Sequence, residues 1–163
     1  MKTIRYTFIL QLLSVYTLLA CFATPQSQVT SKEELVDRTK TIVLAQVVKA
    51  EMLASGDVKY TFKPERSIKG TPPENFVIEG SVLAEGDIKT FRDHQDEEFW
   101  NSADGRCYHD TDCLIHPAFA VGRMYLIFLE QPYHQQSFEQ VDRIGETDTD
   151  KWLAWVAERC KAK

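Results

Sequence analysis

Two cysteines and two histidines lie within a ten-residue segment and form the densest group of potential metal ligands in the chain. Cys107 and Cys113 enclose His109, and His116 follows. Thiolate and imidazole groups suit zinc and copper, so this segment could hold a soft metal ion. Zinc cysteines usually stand roughly two to four residues apart, and a disulfide closing this short loop would add roughly 2 to 2.5 kcal/mol. We therefore expect a Cys107–Cys113 disulfide, with a metal site of these four residues as the alternative.

The segment before these cysteines is rich in carboxylates that could surround a calcium ion. Several lie between Asp93 and Glu98, and Asp104 and Asp110 follow. Their spacing does not match the EF-hand loop, which needs oxygen ligands at alternate positions and a glycine at the sixth. We therefore expect a solvated acidic loop within a long excursion over residues 85–112.

Two adjacent aromatic residues, Phe99 and Trp100, stand inside this acidic segment. Large apolar side chains in a polar stretch either anchor the loop to the core or form an exposed patch that binds a partner. Both interpretations stay open, so both residues are candidates for partner binding.

Catalytic residue types are present, but no catalytic spacing accompanies them. The chain contains no nucleophile elbow, zincin helix or phosphate-binding loop. Its histidines form no pair at helical spacing and are scattered over His94, His109, His116 and His134. The sequence therefore favours a binding module without a cofactor over an enzyme.

The amino-terminal residues have the parts of an export signal. Lys2 and Arg5 are basic, and residues 6–19 are almost entirely apolar. This apolar run is about 14 residues long, too short for a transmembrane helix, which needs roughly 20. One interpretation is an ordinary secretory signal that is cut after Ala23.

The end of the apolar run, Leu18-Leu19-Ala20-Cys21, resembles the lipobox of bacterial lipoproteins. The resemblance implies that residues 1–20 are a cleaved signal peptide and that Cys21 carries acyl chains such as palmitate on its thiol and amino group. Residues 21–30 are then a lipid-anchored tether, since they are small, polar and proline-containing. Phe22 stands where an aspartate would retain the protein at the inner membrane, which implies the outer membrane, facing the periplasm. Secretion is the alternative.

Removal of the signal changes the charge and the cysteine count. Lys2 and Arg5 leave, so 17 basic residues stand against 24 acidic ones and the net charge is −7. A net acidic chain without a basic run is a poor candidate for binding nucleic acid. The cysteines that remain are Cys107, Cys113 and Cys160, and in an oxidising compartment one pair leaves Cys160 as a buried thiol.

The periodicity of apolar residues predicts an α+β domain, mainly β, over residues 31–163. A capping box that starts at Ser31 predicts a short helix at residues 32–39, and a second helix is predicted at residues 147–161. Strands are predicted between them, at residues 41–48, 58–63, 76–78, 88–91, 124–129 and 137–141. Antiparallel strands with one helix at each end favour a small barrel.

One predicted strand, at residues 124–129, is apolar on both faces. Such a strand should be central, because each of its faces needs an apolar surface to bury it. We expect one face to lie inside the barrel and the other under Trp152 and Val156 of the carboxy-terminal helix.

These elements together resemble the netrin/TIMP-like domains, which have an OB fold. The segments that carry the resemblance are Glu34-Leu35-Val36, residues 41–48, Tyr60-Thr61-Phe62, Ile68-Lys69-Gly70 and residues 119–128 with Gly122. Cys113 could match a cysteine that precedes the last segment in that family. The resemblance implies an OB-like antiparallel barrel over residues 31–163 and raises protease inhibition as a function.

The inhibitory chemistry of that family fits this chain poorly. In the animal inhibitors a mature amino-terminal cysteine chelates the protease zinc, and a disulfide from a second cysteine two residues later holds it. Here Ala23 stands at that second position, and lipid would acylate the amine of Cys21. The leading hypothesis is therefore a lipid-anchored envelope module that binds a protein or a glycan. A metalloprotease inhibitor and a small envelope metal-binding protein are the alternatives.

Overall fold

The computed structural model describes residues 31–82, 94–101, 105–106, 115–130, 134–141 and 150–162. Several predictions fall outside these stretches and stay predictions. They concern the signal peptide at residues 1–20, the tether, the strand at residues 88–91, and the sites at Cys21, Cys107, His109 and Cys113.

The described fold is α+β and mainly β. Its elements in chain order are α1 (Lys32–Arg38), β1 (Ile42–Met52), β2 (Val58–Lys69), β3 (Phe76–Gly80), α2 (Glu97–Asn101), β4 (Met124–Phe128), β5 (Phe138–Gln140) and α3 (Lys151–Lys161). A short 3₁₀ turn, Gln135–Ser137, leads into β5. Within the described stretches, no helix has the length and apolarity needed to cross a membrane.

Helix α1 begins after Ser31, whose side-chain oxygen accepts a hydrogen bond from the Glu34 backbone N–H (3.1 Å). This contact satisfies an amide that has no partner within the helix. Leu35 and Val36 turn inward and are buried. The helix ends at Thr39, whose backbone is extended and whose hydroxyl donates to the Leu35 carbonyl (2.7 Å).

The strands form one antiparallel sheet in the order β3-β2-β1-β4-β5. The sheet is open, with β3 and β5 at its two edges, and no ladder between described residues joins those edges. The sequence predicted a small antiparallel OB-like barrel, which the described strands do not close. Closure requires edge strands that can pair along their length, whereas β3 has 5 residues and β5 has 3.

The sheet nevertheless curls, because its two longest strands are bent. β1 and β2 pair over nearly their whole length with register shifts at Ile42/Val43, Leu44/Ala45 and Val47/Lys49. An extra residue on one strand bends the pair and increases its twist. The two faces of the curled sheet bury separate apolar cores.

The first of these, the helix-side core, lies between the sheet and the helices. Its members are Leu35, Val36, Ile42, Leu44, Phe99, Leu126, Phe128, Val141, Trp152, Leu153 and Val156. Trp152 of α3 is 0% exposed, and its ring lies 6.2 Å from that of Phe128 on β4. The prediction that α3 covers one face of this strand is therefore confirmed.

The second, the inner core, lies on the other face and receives side chains from every strand of the sheet. Its members are Val43, Ala45, Val47, Val58, Tyr60, Phe62, Phe119, Tyr125, Ile127 and Phe138, with Phe76 and Ile78 of β3 packed against them. Tyr125 and Ile127 are the opposite face of β4, so this strand is buried on both sides as its sequence predicted. A common core under all five strands keeps the sheet curled although its edges are apart.

Phe119 is the ring that connects the strands inside this core. Its centroid lies 4.9 Å from Phe62 of β2, 5.0 Å from Tyr125 of β4 and 5.7 Å from Phe138 of β5, each nearly edge to face. Phe62 in turn stacks on Phe76 of β3 at 5.1 Å. A chain of aromatic contacts therefore runs from one edge strand to the other.

The segment that carries Phe119 packs against the end of β3. The backbone N–H of Ser81 donates to the Pro117 carbonyl (3.0 Å), and the Tyr60 hydroxyl donates to the Ser81 carbonyl (2.7 Å). A Cβ on Gly80 would lie 1.8 Å from the Pro117 oxygen, so this approach requires glycine. These contacts hold Phe119 over the inner core.

We expect Phe119→Ala to lower the free energy of unfolding by about 3 to 5 kcal/mol, because it removes a buried ring that contacts three strands. Val77→Ala is the control, since Val77 is 46% exposed, and it should change stability by less than about 0.5 kcal/mol. Urea denaturation measures both. Equal effects would mean that Phe119 does not link the strands.

Candidate functional site

A buried histidine between two carboxylates is the most unusual polar feature of the described residues. His94 is 2% exposed, and its Nδ1 lies 2.7 Å from Oδ2 of Asp150 while its Nε2 lies 3.4 Å from Oε2 of Glu139. Glu139 is fully buried and Asp150 nearly so. We call these three residues the His94 cluster.

Each carboxylate of the cluster also holds a backbone amide with its second oxygen. Oδ1 of Asp150 accepts from the Leu153 N–H (2.9 Å) and so caps helix α3. Oε1 of Glu139 accepts from the Arg106 N–H (2.5 Å). A negative charge at a helix N-terminus is favourable, so Asp150 is stabilised by the helix as well as by the imidazole.

The residues that follow His94 fold back over it. The Phe99 ring lies 4.6 Å from the imidazole, and the Trp100 indole N–H donates to the His94 carbonyl (2.9 Å). The Gln136 side-chain amide donates to the Phe99 carbonyl (2.9 Å). Helix α2, the turn before β5 and the start of α3 are therefore joined around one side chain.

The pKa of His94 reflects two opposing effects. Burial alone would lower it, because the charged ring loses its hydration. Hydrogen bonds and charges from Asp150 and then Glu139 outweigh burial and raise the pKa from 6.5 to about 9. The geometry leads to the same conclusion, since only a ring protonated on both nitrogens can donate to a carboxylate on each side.

This arrangement suits a structural role better than catalysis. Both ring nitrogens face carboxylates and the ring is 2% exposed, so in this structure the imidazole links protein segments. Neither Glu139 nor Asp150 was predicted from the sequence as a site residue. Asp150 does carry a local signal, because an acidic residue before a helical apolar pattern is typical of a helix cap.

Arg106 connects the cluster to the inner core. Its backbone amide binds Glu139, while its guanidinium lies 4.9 Å from the Tyr125 ring centroid and 5.5 Å from that of Phe119. The guanidinium also donates to the Ala118 carbonyl. The same residue therefore positions both Glu139 and the segment that carries Phe119.

A groove of about 510 Å³ lies between the end of β2 and one flank of α3. It is lined by Arg66, Ser67, Ile68, Leu153, Ala154, Ala157, Glu158, Cys160 and Lys161. Leu153 is buried and Ile68 and Ala157 are half-buried, whereas Arg66 and Lys161 are exposed. The groove therefore has an apolar floor and charged edges, and its volume is within the range of small-ligand sites.

The opposite flank of α3 carries a cluster of tryptophans. Trp155 stacks on the buried Trp152 at 5.3 Å, and Trp100 lies 6.0 Å from both rings. Trp100 and Trp155 are half-buried, so each contributes to the surface. The Arg159 guanidinium lies 5.8 Å from the Trp155 ring, and the Lys32 ammonium donates to the Trp100 carbonyl (3.0 Å). We call Lys32, Trp100, Trp155 and Arg159 the tryptophan face.

The two residues predicted to bind a partner, Phe99 and Trp100, differ in their exposure. Phe99 is 0% exposed and belongs to the helix-side core, so it cannot offer a binding surface. Its burial favours the anchoring interpretation, because a fully buried ring stabilises by excluding water. Trp100 also anchors the segment through its indole N–H, but part of it lies on the surface.

Two other predicted residues are described. His116, the alternative metal ligand, is exposed, and the described stretches contain no group of three His, Cys, Asp or Glu side chains placed to hold a metal ion. Cys160 was expected to be buried. It is instead partly exposed, because it faces the groove at the edge of the helix-side core.

No protein-family model matches this chain, and a search of curated proteins finds no match.

The His94 cluster predicts that stability falls in alkaline solution. A raised folded-state pKa contributes stability that is present below the unfolded value of 6.5 and is lost as pH rises through about 9. Between pH 6.5 and about pH 9.5, urea denaturation should show a loss of about 3 kcal/mol.

The exposed His116 supplies the matched control for this titration. His116→Gln should keep the alkaline loss, whereas His94→Gln should be less stable at neutral pH and should lack most of that loss. An unchanged alkaline profile in His94→Gln would assign the effect to other groups.

Proposed function

We propose that this chain is a lipid-anchored, non-catalytic binding module of the cell envelope. Its groove between β2 and α3 would receive a protein or glycan partner. The groove itself carries this proposal, because it combines an apolar floor with charged edges in one concave surface. The anchor is inferred from the lipobox that ends at Cys21.

The chemistry of the groove indicates what it would accept. Ile68, Leu153 and Ala157 provide apolar contact, and small side chains on α3 leave room for a partner's own side chains. Arg66 and Lys161 are basic, while Glu158 is acidic. An apolar segment that also carries an acidic group would bury apolar area and meet a complementary charge.

The OB-like, netrin/TIMP-like relationship also belongs to this proposal. Its support is the curled five-stranded antiparallel sheet, in which the long bent β1 pairs with both β2 and β4. The inner core that β3 and β5 share supports this proposal, because the OB fold is a partly open Greek-key barrel. A common fold does not transfer the protease inhibition of that family.

The anchor is tested by Cys21→Ser in the producing bacterium. We expect this change to abolish incorporation of labelled palmitate and to move the protein from the membrane pellet to the soluble fraction. Cys160→Ser is the matched control and should keep both properties, because Cys160 lies on α3. Labelled palmitate in the Cys21→Ser protein would refute the anchor.

Site-specific photocrosslinking tests the groove. A p-benzoylphenylalanine residue at Ala154, which is exposed and lines the groove, should form a defined adduct in intact cells under ultraviolet light. The same probe at Val77, on the exposed face of β3, is the positional control and should form no such adduct.

Ala157→Trp fills the groove and should remove the adduct without lowering the melting temperature more than a surface substitution does. Adducts that form equally from Val77, or that persist after the groove is filled, would contradict binding at this site.

A further inference from the structure

We infer that the tryptophan face rests on the membrane surface, with its two half-buried indoles in the interfacial region of the bilayer. This inference depends on the proposed lipid anchor and adds which side of the domain faces the lipid. Tryptophan is enriched at membrane interfaces, where its large ring buries apolar area at the level of the headgroups.

The position of the face relative to the anchor supports this orientation. Lys32 is the first residue of α1, and nine residues separate Cys21 from Ser31. Even a fully extended tether would span at most about 35 Å. The start of α1 therefore stays within about 35 Å of the lipid-bearing Cys21, and Lys32 contacts Trp100 at that end of the domain.

The charges of the face also suit a lipid surface. Asp37 pairs with Arg159 through two contacts of 3.1 and 2.8 Å, and Glu33 lies 3.5 Å from Lys32. These pairs neutralise the two cations of the face, Lys32 and Arg159, while the mature chain expected from the sequence carries a net charge of −7. With both cations paired, the contact does not depend on attraction between this face and anionic lipid.

The pairing of these two cations predicts how the contact responds to salt. Electrostatic attachment weakens as salt screens it, whereas burial of indoles does not. We therefore expect attachment of the face to persist between low and high salt.

The groove and Trp155 lie on opposite flanks of α3. With the tryptophan face on the lipid, the flank formed by Ala154 and Ala157 points away from Trp155 and stays open to a partner. The two surfaces therefore do not compete for the same side of the helix.

Quenching by brominated lipid tests the inference, because the chain has three tryptophans and the structure assigns different depths to them. The lipidated full-length protein is reconstituted into vesicles of phosphatidylethanolamine with a minority of phosphatidylglycerol. Some of the lipid carries bromine near the top of its acyl chains. We expect more than half of the tryptophan emission to be quenched, since Trp100 and Trp155 reach the interface while Trp152 is buried.

The matched variant is Trp100→Phe/Trp155→Phe, which keeps aromatic rings against Trp152. It should lose most of the quenching while still sedimenting with the vesicles. The single variant Trp155→Phe replaces the double variant if the latter is unstable, because it keeps the indole of Trp100 and its hydrogen bond to the His94 carbonyl. It should lose part of the quenching.

The outcomes separate the orientation from the anchor. A protein that sediments with vesicles but shows no quenching overturns the tryptophan face while leaving the anchor intact. A protein that does not sediment overturns both. A shift of tryptophan emission by N-acetylglucosamine oligomers without lipid quenching would assign the face to a glycan. Dimers that dissociate in the double variant would assign it to a second copy.

Discussion

The contact on which most of this structure depends is the burial of one histidine between two carboxylates. His94 meets Asp150 at one nitrogen and Glu139 at the other, in a region almost closed to water. Removing charges from water is costly, and removing one member of such a cluster typically destabilises a protein by about 3 to 5 kcal/mol. The backbone amides of Leu153 and Arg106 reduce that cost by binding the remaining carboxylate oxygens.

The cluster decides where the two candidate surfaces lie. Asp150 caps α3, so the position of that helix over β4 is linked to His94. One flank of α3 then forms the groove with the end of β2, and the other flank places Trp155 beside Trp100. Trp100 itself donates to the His94 carbonyl. Partner binding in the groove and membrane contact by the tryptophan face would therefore both rely on the His94 cluster, which contacts neither the partner nor the lipid.

The sequence predicted the elements whose signals are local. The cap at Ser31, the two apolar faces of β4 and the covering of β4 by α3 each follow from short-range patterns. It could not predict the His94 cluster, because Glu139 and Asp150 lie 45 and 56 positions away. It also predicted a barrel where the described strands form an open sheet, because apolar periodicity predicts strands but not how far an edge strand extends.

The protonation state of His94 in the folded protein is the central claim, and nuclear magnetic resonance of the imidazole measures it most directly. With nitrogen-15-labelled histidine, assigned through His94→Gln, both ring nitrogens should carry protons at neutral pH. The resonances should titrate with a pKa of about 9. A neutral ring at pH 7, with a pKa at or below the ordinary 6.5, would contradict the account. The ring could then donate to only one of the two carboxylates, and the cluster would not be the ion pair described above.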